Sequence, residues 1–199
     1  HAQPANRDAQ ESRGLGDVYK RQGFRVVFSH ISMVIVNSLL FGVFLGLLSI
    51  TLLLGLFFRS IPFGVLSAFP NVLPIASAFG IWALYDGQVG FMVAAGMGST
   101  LGIIVDFTVH LLSKYDLARR EMGQSPEEAV VFAFESVGFA LIVMTIVISL
   151  GFLVLNLVNF MPLHDFARFS TISFIMALII DFLLFPNLLV KFDKRKFNY

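Results

Sequence analysis

Between Arg25 and Arg59 the chain carries no Asp, Glu, Lys or Arg. The same silence recurs from Arg59 to Asp86, from Asp86 to Asp106 and from Glu135 to Asp165. A helix that crosses the hydrocarbon of a bilayer needs about 20 mostly apolar residues, each rising ~1.5 Å. The pattern therefore predicts five membrane-spanning helices, over about 31–58, 61–84, 89–112, 129–157 and 166–190. Apolar and polar residues do not alternate with period two, which argues against a lipid-facing β-barrel. Helices remain as the way to satisfy the backbone in lipid. The expected fold class is an all-α integral membrane bundle of five transmembrane helices.

Between the third and fourth spans, Lys114 to Met122 extends the third helix along the membrane surface until Gly123 stops it. A new helix then starts at Ser125-Pro126-Glu127-Glu128, with Ser as N-cap, Pro at the first helical position and acids in the first turn. The first 23 residues differ in kind. They hold no apolar run and no signal-peptide core, and they read as a hydrophilic leader and a candidate non-native segment. Residues 24–192 form the expected membrane domain and 193–199 a basic cytoplasmic tail, so the chain reads as part of a longer protein.

Charge sets the orientation. Arg59, Lys114, Arg119, Arg120, Lys191, Lys194, Arg195 and Lys196 fall on one side, whereas the loops 85–88 and 158–165 hold no Lys or Arg. By the positive-inside rule the basic side is cytoplasmic. The expectation is a multi-pass protein of the inner (plasma) membrane with its C-terminus inside.

Composition narrows the function. The chain is 57% hydrophobic and 14% charged, with 23 Phe, against about 25% charged residues in an ordinary soluble domain. Neither a soluble enzyme nor a disordered segment has this make-up. There is no cysteine for disulfide or thiol chemistry, and a net charge of +1 leaves no basic surplus for nucleic acid. Walker A, zinc-ligand, nucleophile-elbow and dinucleotide-binding patterns are all missing. No enzymatic activity, metal or cofactor is expected, and any transport would draw on an ion gradient.

The few polar groups inside the spans then carry the chemistry. A charge near the bilayer centre costs at least ~2.5–3.5 kcal/mol. Asp106 lies in the third span with His110 one turn later on the same face. The two form either a proton-titrating pair or a packing acid with a histidine that reaches the interface. Asp181 in the fifth span is a second candidate for relay or helix packing, and Glu135 fits a solvated helix start. Thr145 and Ser149 in the fourth span are candidate partners for Asp106. Gly98 and Gly102 form a GxxxG step, as do Gly42 and Gly46, so Asp106 is expected as a buried acid on a close-packed helix. Pro70 and Pro74 flank Asn71 and should free backbone carbonyls in the second span.

An ordered set of these segments resembles a known family. Phe58-Arg59-Ser60 with Gly64, Pro70-Asn71 with Pro74, Gly102-Ile-Ile-Val-Asp106-Phe-Thr-Val-His110-Leu-Leu-Ser-Lys-Tyr115, Ser125-Pro-Glu-Glu-Ala129 with Gly138, and Asp181-Phe-Leu-Leu-Phe-Pro186 follow one another. From about residue 24 to 190 the chain resembles the membrane half of RND-superfamily transporters. The likeness is to MMPL-type exporters, related to Patched and to hopanoid and lipid transporters. The resemblance implies twelve helices in two halves, each with a large extracytoplasmic domain, and places the present spans as five helices of one half, the C-terminal half by wording. It implies that Asp106 is the proton-relay carboxylate. Relatives often carry a second acid or Tyr directly after it, where this chain has Phe107, so a one-acid relay is expected. The function implied is proton-motive-force-driven export of a hydrophobic or lipid-like substrate. The alternatives are a sterol-sensing-domain-like module that binds or senses lipid and a SecDF-like translocation accessory. Expected partners are the other half of the transporter with its extracytoplasmic domains, the lipid bilayer, the substrate and a second copy of the chain.

Overall fold

A computed structural model describes residues 4–58, 61–85 and 87–193. Among them there is no β-strand, and five helices are long and apolar enough to cross a membrane: Ser32–Phe57, Phe63–Tyr85, Phe91–Arg120, Pro126–Leu157 and Met161–Phe192. Arg59, Ser60, Asp86, Lys194, Arg195 and Lys196 lie outside the described residues, as do the side chains of the 1–23 leader.

Helix α1 (Pro4–Phe57) runs without a break through the first span. Helix α2 (Ile61–Tyr85) stays continuous through Pro70 and Pro74. Helix α3 (Phe91–Arg120) extends well past residue 112, because Lys114, Arg119 and Arg120 carry it beyond the apolar stretch. Gly123 adopts φ 65°, a left-handed conformation that suits glycine and ends the connection. Helix α4 (Pro126–Ala133) starts on the predicted capping box: Glu128 N–H donates to Ser125 Oγ at 3.3 Å, and Ser125 N–H donates to Glu128 Oε2 at 2.8 Å. The fourth span continues through a π-helical turn at Phe134–Gly138 and then α5 (Phe139–Val154). Helix α6 (Met161–Leu183) gives way to α7 (Phe185–Phe192) where Pro186 has no N–H to offer the preceding turn.

Helix α6 is the hub, with its broadest contacts to α3 and α2 and a further seam to α5. Trp82, Phe107, Tyr115, Phe169 and Phe174 are wholly buried between these helices. The outer faces are apolar and exposed, as at Phe41, Phe44, Leu52 and Leu56 on α1. In lipid such faces cost nothing, and helix association depends on close packing and hydrogen bonds instead.

That close packing falls on glycines other than those of the GxxxG steps. A Cβ added to Gly64 would stand 2.6 Å from Gly55 Cα and 2.8 Å from Thr51 O, so α1 and α2 meet backbone to backbone. Gly96 brings α3 against α6, with Ser170 Oγ 3.2 Å from where a Cβ would be. By contrast Gly102 has nothing within 4 Å, while Gly98 and Gly46 make only ordinary side-chain contact across the α1–α3 seam. The expectation that Gly102 sits on a close-packed face is corrected for this chain: among the described residues nothing packs against Gly102.

Candidate functional site

Helix α3 carries polar groups on two separate faces. On the outward one, Gly98, Gly102, Asp106 and His110 recur every four residues, all exposed. The Asp106 side chain is 52% exposed and that of His110 55%, with His110 Nε2 3.5 Å from Asp106 Oδ1. The expected pairing of the two is therefore present, but the expected burial of Asp106 is not. The reason is register: Ile104, Phe107, Thr108 and Leu111 take the inward positions, which leaves residues 102, 106 and 110 facing away.

Thr145 and Ser149 do not serve Asp106. Both are buried on α5, whose chief neighbour is α6, and Thr145 Oγ1 donates to its own helix at Leu141 O, 2.8 Å away. Ser149 Oγ is buried, with no hydrogen-bond partner among the described residues.

The inward face of α3 belongs to a second polar group. Thr108 Oγ1 donates to Asn71 Oδ1 of α2 at 3.0 Å, and Asn71 Nδ2 donates to Ser67 O at 2.9 Å. Ser67 Oγ in turn donates to Gly64 O at 2.7 Å. Asp181 of α6, fully buried, lies beside Thr108, and among the described residues neither of its carboxyl oxygens has a hydrogen-bond partner. Asn71 thus has a specific role between the two prolines, tying α2 to α3 in the bundle interior. A buried carboxyl group without partners is costly, so Asp181 marks a place where the packing is not optimised for stability alone.

A third cluster, at the end where α3 and α7 stop, had not been singled out from the sequence. Tyr115 Oη donates to Asp193 Oδ2 at 2.8 Å, and Arg119 Nε donates to the same oxygen at 2.9 Å. Arg120 pairs with Asp116 at 2.9 Å and donates to the Phe58 carbonyl at the end of α1. Asp193, assigned above to the tail, is only 6% exposed and belongs to the bundle. Its signal was present: one acid in a basic run, opposite a Tyr and an Arg spaced i, i+4 on α3.

Among the described residues, no group of three His, Asp or Glu side chains could hold a metal ion. No family model matches the chain. A predicted membrane protein of Methanocaldococcus jannaschii, MJ1562, is 27% identical over 146 residues, which cover 73% of this chain. The matched stretch spans 37% of that relative's length. With five apolar helices and this relative the coarse identity is settled. The chain is a multi-pass helical membrane protein.

Proposed function

We propose that this membrane protein is one membrane half of a proton-motive-force-driven exporter of the RND/MMPL type, acting on hydrophobic or lipid-like substrates, with Asp106 as its proton-relay carboxylate. The observation that supports this reading most is the exposed stripe Gly98, Gly102, Asp106 and His110, in which Gly98 meets α1 at Val43. An acid facing hydrocarbon is expensive, and small residues one turn apart let another helix approach closely. The stripe therefore suits a helix from outside this chain, supplied by the other half of the transporter or by a second copy. The chain would sit in the inner membrane with the Arg119–Asp193 end in the cytoplasm.

In this reading the carboxylate of Asp106 is charged while its face is wet and neutral once it has taken a proton. His110 Nε2 lies 3.5 Å from Asp106 Oδ1, placed to exchange a proton with it. Neutralising the acid removes the penalty for closing the seam, so protonation biases two packings of one interface. A proton crossing the full field supplies about 2.3 kcal/mol per 100 mV, so one or two protons suffice for such a bias. Replacing Asp106 with Asn in the intact transporter should abolish export while insertion and folding persist. Undiminished export by that variant would remove Asp106 from the mechanism.

A further inference from the structure

The stripe that carries Asp106 does not stop at His110. At about 3.6 residues per turn, Ser113, Leu117 and Glu121 fall on the same face of α3 as Asp106 and His110. Ser113 stands one turn beyond His110, about 4.5 Å along the axis. The face therefore runs on toward the end of the bundle that holds the Arg119–Asp193 cluster.

There it opens into a groove of about 200 Å³ between α3 and the end of α1, with Phe57 and Phe58 on one side and Ser113, Lys114, Asp116 and Glu121 on the other. The α3 wall is polar, broken only by Leu117. Arg120 fixes its shape, because it pairs with Asp116 at 2.9 Å and donates to the Phe58 carbonyl. The charged groups at the groove are Lys114, Asp116, Arg120 and Glu121, two of each sign, with Arg59 at the end of α1 outside the described residues. A water takes about 30 Å³ in the liquid, so the groove has room for several.

The two directions along the stripe are unequal. Toward the groove, Asp106 is followed by an imidazole 3.5 Å away and then by the Ser113 hydroxyl. Toward the opposite end come Gly102 and Gly98, which bear no side chain that can take a proton. We propose, resting on the relay reading of Asp106 above, that His110 is the shuttle by which the relay exchanges protons with the cytoplasm through the Ser113–Glu121 groove. Protonated Asp106 gives its proton to His110 Nε2. The imidazolium releases the proton on its Nδ1 to water in the groove, and Asp106 is left as a carboxylate. The neutral ring returns to its starting tautomer before the next transfer.

The full-length protein is reconstituted with the groove end facing the lumen of vesicles that hold a pH dye, and substrate-dependent acidification is followed. His110→Ala, at a half-exposed position away from the core, should slow it about a hundredfold, the lower range for a positioned acid–base group. N-acetylhistidine supplies an imidazole that its carboxylate keeps from crossing the bilayer. Trapped in the lumen, it should restore much of the lost rate, measured against the unsubstituted protein in the same buffer. Added outside, it should restore none. Ser113→Trp, which fills the groove and leaves Asp106 and His110 in place, should also slow acidification, without rescue by the lumenal imidazole. A full rate in either variant, or rescue of His110→Ala that is absent or equal from the two sides, overturns the proposal. Loss in Asp106→Asn beside full rates in these two variants leaves the relay standing without this path, whereas a full rate in Asp106→Asn removes the relay itself.

Discussion

The Thr108 hydroxyl of α3 donates to Asn71 Oδ1 of α2 at 3.0 Å, two residues along the helix from Asp106, which faces outward. Residues two apart on a helix lie on nearly opposite faces, so α3 separates an interior polar group from an exterior one. The interior group holds the five-helix unit together, and the exterior stripe is free to meet another surface. Asn71→Leu should therefore lower the stability of the isolated chain by about 1 kcal/mol, the size of an interhelical hydrogen bond in a membrane. Unfolding in mixed micelles measures it, and an unchanged midpoint would show that the bond contributes nothing.

Gly64→Ala should be more damaging. Its Cβ would fall 2.6 Å from Gly55 Cα, and backbone cannot step aside as a flexible side chain can. Separating α1 from α2 should cost about 1–3 kcal/mol, as overpacking in a core does. The same unfolding assay reads it, with Gly80→Ala as the control, since nothing lies within 4 Å of Gly80.

The five spans were legible because absence of charge is a one-dimensional signal that survives without any knowledge of contacts. Ser125, Pro126 and Glu128 were legible for the same reason, since a capping box is local. What could not be read was rotation about each helix axis. The chain's helices are apolar nearly all round, so periodicity does not say which face of α3 turns inward, and Asp106 came out exposed. Gly64, named above only for its place in the family pattern, and Gly96 make closer approaches than the GxxxG pairs, and spacing along one helix does not reveal what stands opposite. Asp193 was hidden by its neighbours: one acid among lysines looks like tail until Tyr115 and Arg119 are seen to hold it.

Asp193 should matter for stability. The Arg119 side chain is 9% exposed, and removing its carboxylate partner leaves a charge poorly solvated between α3 and α7. Asp193→Ala should cost about 3 kcal/mol, the lower end for breaking a buried ion pair. Tyr115→Phe removes only one neutral donor and should cost about 1 kcal/mol. Equal effects of the two substitutions in thermal unfolding would show that the ion pair adds nothing beyond packing.

Gly102→Ala separates the outward face from the fold. With nothing within 4 Å of that position, the isolated chain should unfold unchanged. In the full-length protein the proposed function places the added methyl in the seam beside Asp106, and export should fall. A variant equally active in the assembly would mean that no helix packs on this stripe.

Proton uptake tests the relay itself. The full-length protein, reconstituted in vesicles with an internal pH dye, is given an inward proton gradient and a hydrophobic substrate. Asp106→Asn should abolish substrate-dependent acidification, whereas Asp181→Asn, altering a fully buried acid on the other side of α3, should preserve it even where stability changes. Acidification that persists in Asp106→Asn and vanishes in a well-folded Asp181→Asn would contradict the central claim and transfer the relay to the interior carboxyl.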